Sequence, residues 1–182
     1  MIIVNTGNGK GKTTAALGAA VRAVGEGKKV LMIQFIKGPW RSGEDNIDIV
    51  FKGDPSNSSG SSSAFKLMKM GLGFVGILGD TFPREEHEKA AEAALNSARD
   101  EIKKSVWDMV ILDEVNNALY LNLIPIENLL GLIDLTPKTC HLVLTGRDAH
   151  PEILARADLI TEMREVKHPY QGGAKAKRGV EY

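Results

Sequence analysis

The stretch IIVNTGNGKGKTT, residues 2–14, decides the fold of this chain. It begins with a β-branched run at residues 2–4, which is typical of a short strand. A glycine cluster follows, and from residue 12 to about residue 25 helix formers carry apolar side chains at helical spacing. A glycine-rich turn between a strand and a helix points its backbone N–H groups into one concavity, and the helix N-terminus adds partial positive charge. The stretch therefore predicts a phosphate-binding loop.

Two side chains of this loop supply the chemistry that a nucleoside triphosphate needs. Lys12 can reach phosphate oxygens as a point charge, and the hydroxyl of Thr13 can bind Mg²⁺. The spacing departs from the common pattern G-x-x-x-x-G-K-[ST], because Thr6 stands where the first glycine belongs and Gly7 comes one residue late. We therefore expect the loop to bind the triphosphate in an unusual way. The alternative is a glycine-rich helix start that binds nothing.

The rest of the pattern predicts an α/β fold. Apolar runs bounded by turn residues indicate four further strands, with stretches of helical spacing between them. We expect a P-loop NTPase-like (RecA-like) parallel sheet flanked by helices on both faces, in a single domain of residues 1–182. The predicted strands after the first are residues 30–36, 106–112, 139–145 and 157–163, and the predicted later helices are residues 82–104, 116–121, 126–132 and 150–156.

One region, residues 38–80, is less regular. Within it, residues 53–64 have the sequence GDPSNSSGSSSA, which contains six serines. Such a segment buries too little surface to offset the entropy of ordering it, so we expect a flexible loop. Composition alone leaves open that the segment is an engineered linker.

Two more motifs follow predicted strands. MVILDE, residues 109–114, fits a buried strand that ends in Asp113 and Glu114, at the edge where ligands bind in open α/β sheets. Asp113 is predicted to hold Mg²⁺, and Glu114 to act on the metal or on a bound water. Arg147, in LTGR, can clamp phosphate oxygens with two donors. The plainer alternatives are an acidic pair that opens the next helix and a surface arginine paired to a carboxylate.

Composition excludes several classes of protein. The 182 residues carry 23 basic and 23 acidic side chains, so the formal net charge is zero, which argues against binding to nucleic acid through overall charge. Cys140 is the single cysteine, so no internal disulfide forms and a cysteine-based metal site is disfavoured. No apolar run reaches the roughly 20 residues that span a bilayer. The first residues show no signal peptide, so we expect a cytoplasmic enzyme with neither nucleic-acid nor membrane partners.

Taken together, these motifs resemble the P-loop type of ATP:corrinoid (cob(I)alamin) adenosyltransferase. The resemblance rests on five stretches in the family's order, and the serine-rich region at about residues 41–64 is the part that does not match. The GNGKGKTT form of the loop and the KHPY…GVEY tail are far more specific than a bare phosphate loop. The five stretches are TGNGKGKTTAA, VLMIQFIKG, VILDE, LTGRDAHPE and ADLITEMREVKHPYQGGAKAKRGVEY.

The resemblance implies a reaction and a set of site residues. The family transfers the 5′-deoxyadenosyl group of ATP to Co(I) of a reduced corrinoid, giving adenosylcobalamin or adenosylcobinamide and triphosphate. It implies catalytic roles for Lys12, Glu114 and Arg147, and a Mg²⁺ site at Thr13, Asp113 and Glu114. The implied binding residues are Gly7, Asn8, Gly9, Lys10, Gly11, Lys12, Thr13, Thr14, Arg22 and Phe74.

The corrinoid side of the resemblance is carried by GLGFVG, residues 71–76. The family's aromatic stretch G-F-x-W helps to expel the lower axial ligand of cobalt; Phe74 is retained, and Gly76 stands at the tryptophan position. An ordinary core aromatic is the alternative for Phe74. We expect Met68 and Met70 to fill the core, and His141 and Cys140 to be a satisfied core residue and a buried, inert thiol.

The resemblance also implies partners, namely ATP, cob(I)alamin or cobinamide, an unidentified electron donor that reduces cobalt, and a second copy in a homodimer. Two other functions remain open from the residues alone. A different P-loop kinase or NTPase would release ADP instead of triphosphate. A non-catalytic ATP-binding module would bind the nucleotide and form no product.

Overall fold

The computed structural model describes residues 1–38, 40–49, 64–77, 79–169, 173 and 175–180. The predicted serine-rich loop at residues 53–64 lies outside the described residues, except for Ala64. Within the described ranges, six strands and five α-helices follow one another along the chain. The strands are β1 (Ile2–Thr6), β2 (Val30–Gln34), β3 (Phe65–Lys69), β4 (Met109–Asp113), β5 (His141–Thr145) and β6 (Leu159–Glu162), and the helices are α1 (Lys12–Gly25), α2 (Arg84–Lys103), α3 (Val115–Tyr120), α4 (Ile126–Leu135) and α5 (Pro151–Arg156), with a 3₁₀ turn at Gly43–Asn46.

All six strands form one sheet in the order β3-β2-β4-β5-β1-β6. Each neighbouring pair is parallel, so every strand ends at the same edge. The register aligns Gln34 of β2 with Asp113 of β4, and Asn5 of β1 with Thr145 of β5. The polar residues that end these strands therefore lie side by side at the carboxyl edge of the sheet.

The core lies on both faces of the sheet because side chains alternate along each strand. On one face, Met32 and Ile111 pack with Ala16 and other small residues of α1. On the other face, strand residues such as Leu112 form a larger cluster with side chains of α2 and α4. The predicted parallel sheet with helices on both faces is confirmed.

Strand β3 is an element that the sequence analysis missed within the region described as less regular. Its five residues, FKLMK, carry two lysines, and among the described strands β3 pairs with β2 alone, along an outer edge of the sheet. Lys66 reaches Glu101 at 3.3 Å, and Lys69 reaches Asp45 at 2.6 Å. The two lysines interrupt the strand, so it lacks the continuous apolar run that predicted the other strands. Their carboxylate partners lie elsewhere in the chain.

Two further expectations about single residues have opposite outcomes. Cys140 is buried, as predicted, and burial raises the pKa of its thiol to about 11. The prediction for His141 is wrong, because this first residue of β5 is exposed. Met68 and Met70 are half-buried and pack against the larger core cluster, as expected.

No helix in the described part of the chain is long and apolar enough to cross a membrane.

Candidate active site

The carboxyl edge of the sheet brings the phosphate loop, defined here as residues 6–14, onto Asp113. This carboxylate is fully buried, and its Oδ1 accepts hydrogen bonds from the hydroxyls of Thr13 at 2.8 Å and Thr145 at 2.7 Å. Thr13 and Asp113 are 100 residues apart in sequence. The structure thus joins the hydroxyl and the carboxylate that the sequence analysis assigned to a metal ion.

The phosphate loop packs directly against the chain that follows β6. The backbone N–H of Gly9 donates to the carbonyl of Met163 at 2.6 Å. A Cβ on Gly7 would lie 2.5 Å from that same carbonyl oxygen, and one on Gly9 would lie 2.7 Å from the backbone carbon of Arg164. Gly7 also has a φ of +94°, a conformation that glycine adopts at little cost. The backbone of Met163 and the positive φ therefore explain why position 7, one residue later than in the common motif, holds a glycine.

The ammonium of Lys12 is turned onto the phosphate loop itself. Its Nζ donates to the carbonyls of Gly7 and Gly9, both at 2.8 Å. Burial lowers the pKa of Lys12, and the charge of Arg147 lowers it further. The loop thus holds a partly desolvated cation at its centre, where an anionic ligand would exchange for the two carbonyls. Of the other predicted loop residues, Asn8, Lys10 and Thr14 are exposed, while Gly11 has a φ of +117° directly before α1.

Glu114 occupies an unusual backbone position beside Asp113. Its φ of 61° is left-handed, which costs a non-glycine residue about 1–3 kcal/mol, and its N–H donates to the Thr145 hydroxyl at 2.8 Å. Burial, followed by the negative charge of Asp113, raises the pKa of Glu114 to about 7. The positive charges of Lys37, Lys12 and Arg147 act in the opposite direction. The three cations therefore counter, without outweighing, the burial and the negative charge that favour the protonated form of Glu114.

Arg147 lines a charged cleft beside the phosphate loop. Its backbone N–H donates to Oδ1 of Asn117 at 2.7 Å, which fixes the turn after β5. The cleft has a volume of about 490 Å³. Arg164 contributes a second guanidinium; it lies in the stretch of residues 157–182 that carries the resemblance, but no role was predicted for it there. The cleft is lined by Asn8, Arg147, Glu162, Arg164 and Glu165.

An aromatic pair, Trp40 and Phe74, is exposed on the side of the sheet edge near β3. The ring centroids are 5.4 Å apart, and the side chains are 56% and 45% exposed. A Cβ on Gly73 would lie 2.7 Å from the Trp40 ring, so the indole rests on that backbone. Phe74 is therefore a surface residue and not an ordinary core aromatic. Trp40 carries no sequence motif and was not predicted; it lies 34 residues from Phe74 in an irregular region.

Arg22 is the predicted binding residue that the structure leaves apart from the others. It lies exposed in the last turn of α1. Ten residues of helix separate it from Lys12, a distance of roughly 15 Å along the axis. Its predicted place near the nucleotide stays a prediction.

The sheet, the loop between β1 and α1, and the acidic end of β4 define the class: a P-loop α/β protein, with its candidate site at the carboxyl edge of the sheet. The family model for ATP:corrinoid adenosyltransferases, BtuR/CobO/CobP, matches residues 1–182. The chain belongs to this family, as its motifs predicted.

Named relatives agree with the family model. A corrinoid adenosyltransferase of Escherichia coli (strain K12) is 39% identical over 182 residues, which cover 100% of this chain and 85% of that protein. Corrinoid adenosyltransferase CobA of Salmonella typhimurium is 37% identical with the same coverage. A corrinoid adenosyltransferase of Pseudomonas aeruginosa is also 37% identical, over 100% of this chain and 83% of its own length.

Proposed function

We propose that this chain carries out its family's reaction, the ATP-dependent adenosylation of a corrinoid, at the carboxyl edge of the sheet. The 5′-deoxyadenosyl group passes from ATP to the cobalt of a reduced corrinoid, cob(I)alamin or cobinamide, and triphosphate leaves. The single observation that carries the proposal is the hydrogen bond from Thr13 to Asp113. It links the phosphate loop to the acidic strand end, and this site lies on the same sheet edge as an exposed aromatic pair.

The phosphate loop and its cleft would bind the triphosphate. Lys12 offers a cation at the centre of the loop, and Arg147 and Arg164 offer guanidinium groups from the cleft wall. When the triphosphate leaves, negative charge grows on the departing oxygen, so fixed cations stabilise the transition state more than the ground state. The further loop residues assigned to this role are Gly7, Asn8, Gly9, Lys10, Gly11 and Thr14.

The residues at Asp113 fit a magnesium ion. Mg²⁺ prefers carboxylate and hydroxyl oxygens and retains water and phosphate ligands. Thr13, Asp113 and Glu114 supply such oxygens, and Thr13 already contacts Asp113 at 2.8 Å. When bound, the ion would supply positive charge to the triphosphate. Glu114 would then serve as a carboxylate, which the surrounding lysine and arginine charges favour.

The aromatic pair would receive the corrinoid, because two exposed rings offer an apolar face to a large planar ligand. In the reaction, the electron pair of Co(I) forms a Co–C bond to C5′ as the C5′–O bond breaks. The bonding electrons of C5′–O leave with the triphosphate, and cobalt ends formally as Co(III). No protein nucleophile takes part, so the chain's task is to position two substrates and stabilise the leaving group.

An anaerobic assay tests the proposal. The protein is mixed with ATP, Mg²⁺ and chemically reduced cob(I)alamin, the spectrum is followed, and the inorganic product is identified. We expect adenosylcobalamin and triphosphate in equal amounts. ADP and phosphate without an adenosylated corrinoid would assign the chain to the kinases and NTPases, and bound ATP without any product would assign it to the non-catalytic modules.

Four accompanying expectations stay predictions. They are the homodimer, the electron donor, the cytoplasmic location and the arrangement of residues 1–182 as one domain. Sedimentation of the purified protein tests the dimer. An assay that starts from the Co(II) corrinoid, with and without a chemical reductant, tests the need for a donor.

A further inference from the structure

A buried glutamine connects the acidic strand end to the segment that carries Trp40. The Nε2 of Gln34 donates to Oδ2 of Asp113 at 3.1 Å and to Oε1 of Glu44 at 3.2 Å. Gln34 is fully buried, and Glu44 is 8% exposed. One amide group thus bridges β4 and the 3₁₀ turn at Gly43–Asn46.

The same carboxylate of Glu44 is paired with a lysine. The Nζ of Lys37 donates to Oε1 of Glu44. Burial acts to raise the pKa of Glu44, but the hydrogen bonds from Lys37 and Gln34 and the positive charge of Lys37 together outweigh it, and the pKa is lowered. The charged pair is therefore retained inside the protein. We call Gln34, Lys37 and Glu44 the polar link.

The far side of the same turn is fastened to β3. Lys69 forms an ion pair with Asp45 at 2.6 Å and donates to the backbone carbonyl of Trp40 at 2.9 Å. The N–H of Ser42 donates to the same Asp45 carboxylate at 2.8 Å. Residues 40–46 are thus held from two sides, by the polar link toward β4 and by Lys69 toward β3. The Trp40 ring extends from this segment and packs against Gly73 and Phe74.

Packing alone does not account for Gln34. Its Oε1 is buried and has no hydrogen-bond partner among the described residues. A buried acceptor without a partner costs stability, and an apolar side chain of the same size would avoid that cost. What an apolar side chain cannot do is bridge Asp113 and Glu44. The bridge is therefore the property that distinguishes glutamine at this position.

We propose that the polar link consists of positioning residues, which hold the aromatic pair at a fixed place relative to Asp113 and the phosphate loop. In-line attack at C5′ requires the two substrates to be aligned, and small displacements of one partner slow such reactions strongly. The inference rests on the proposed function for its effect on turnover. Its structural half, the position of Trp40, is measurable without either substrate.

Fluorescence gives that measurement. The chain has two tryptophans, and Trp107 lies away from the site, where it donates to Glu101 at 2.9 Å. In a Trp107→Phe background, Trp40 is the single tryptophan, and acrylamide quenching reports its exposure. We expect Glu44→Gln and Gln34→Met to change the quenching constant and the emission maximum of Trp40. The first removes the charge that pairs with Lys37, and the second removes the amide that bridges Asp113 and Glu44.

A matched control is available in Glu101→Gln. Glu101 is 9% exposed, nearly the same as Glu44, and it is ion-paired with Lys66 and Lys104. It lies near the end of α2, away from the carboxyl edge of the sheet. In the Trp107→Phe background Glu101 keeps its ion pairs with Lys66 and Lys104, so we expect Glu101→Gln to lower thermal stability and to leave the Trp40 signal unchanged. The contrast separates positioning from a general loss of stability.

Turnover supplies the second readout. For Glu44→Gln and Gln34→Met we expect kcat/KM for the corrinoid to fall by roughly 10- to 100-fold. The KM for ATP should stay within about twofold, because the phosphate loop keeps its own contacts. Lys37→Arg, which retains the charge, should keep most of the kcat/KM that Lys37→Met loses.

The two readouts distinguish the two proposals. A changed Trp40 signal in the polar-link variants, with an unchanged signal in Glu101→Gln, supports the positioning role even if the wild type forms no adenosylated corrinoid. In that case the proposed function alone fails. An unchanged Trp40 signal in both Glu44→Gln and Gln34→Met overturns the positioning role. So does an equal change in Glu101→Gln.

Discussion

The phosphate loop and the aromatic pair lie on the same edge of one sheet, but they are built differently. The loop is nine consecutive residues, and its backbone makes the contacts with Met163 and with the ammonium of Lys12. The aromatic pair joins side chains from two irregular segments. The segment of Trp40 is held through Glu44 by Gln34 and Lys37, and by Lys69 of β3. A contiguous site is specified by local spacing, whereas an assembled site is specified by contacts between distant residues. The predictions below test how far this difference extends to function.

The largest effect is expected from Lys12→Ala. This substitution removes the central cation of the loop, which now sits on the carbonyls of Gly7 and Gly9. Loss of one such charge-stabilising donor typically slows turnover by roughly 100- to 1,000-fold. Anaerobic turnover and ATP titration calorimetry measure the loss. Lys28→Ala is the control, because Lys28 is exposed and pairs with Asp108. Near-normal kinetics in Lys12→Ala would remove the loop from the active site.

A smaller loss is expected from Gly9→Ala, which tests whether the loop depends on its contact with the chain that follows β6. The added Cβ would lie 2.7–2.8 Å from backbone atoms of Met163 and Arg164, and backbone atoms cannot rotate away. The loop must shift, and we expect kcat/KM for ATP to fall by roughly 10- to 100-fold.

Gly18→Ala is the matched control for Gly9→Ala. Gly18 lies within α1, and a Cβ there meets nothing within 4 Å. Alanine at a helix interior is favoured over glycine by about 0.5–1 kcal/mol. We expect a higher melting temperature and normal ATP kinetics. If both variants keep normal kinetics, the contact with Met163 and Arg164 does not shape the phosphate loop.

These tests bear on why the sequence predicted one half of the site and not the other. The loop, Asp113, Glu114 and Arg147 were all predicted, because each follows a recognisable strand and strand ends meet at one edge. The parallel sheet followed from the same strand–loop–helix order. Strand β3 was not predicted because two lysines interrupt its apolar residues. Their partners, Glu101 and Asp45, are not evident from the spacing of the sequence.

The aromatic pair was only half predictable. Phe74 was identified through a resemblance, whereas Trp40 has no local motif and gains its meaning from the Gly73 backbone beneath it. The polar link was missed for a similar reason. Gln34 and Glu44 are ten residues apart, and their relation depends on a turn that folds back toward β4. Arg164 lies in a stretch that carried the resemblance, but nothing in its spacing predicted that it would line the cleft beside the phosphate loop.

A third prediction concerns the aromatic pair directly. Phe74→Ala should lower kcat/KM for the corrinoid by about tenfold, which corresponds to ~1.4 kcal/mol of lost apolar contact. The KM for ATP should not change. Phe82→Ala is the control, since Phe82 is 44% exposed against 45% for Phe74, and its ring contacts His87 instead. If Phe74→Ala abolishes ATP binding, then Phe74 supports the packing of the site. The aromatic pair and the phosphate loop would in that case not be separate regions in function.

The smallest effect is expected where the two regions meet, at Glu114. Burial, then the charge of Asp113, raises its folded pKa to about 7, above the value near 4.5 of the unfolded chain. A raised folded pKa stabilises the protein fully below the unfolded pKa, and this contribution is lost as the pH rises through about 7. Without nucleotide or metal, Glu114→Gln should therefore melt progressively higher than the wild type as the pH rises from 5 to 8. Each kcal/mol corresponds to about 2–4 °C.

The control for this titration has the opposite sign. Hydrogen bonds, first from Trp107, hold the pKa of Glu101 below its usual value, so its ionised form stabilises the fold and Glu101→Gln should melt lower throughout pH 5 to 8. Lys12, in the loop, and Lys37, in the polar link, both favour the charged form of Glu114. Lys37→Met should therefore enlarge the gap between Glu114→Gln and its parent at pH 7. A gap that does not change with pH would mean that Glu114 is already ionised, and that the two cations offset its burial completely.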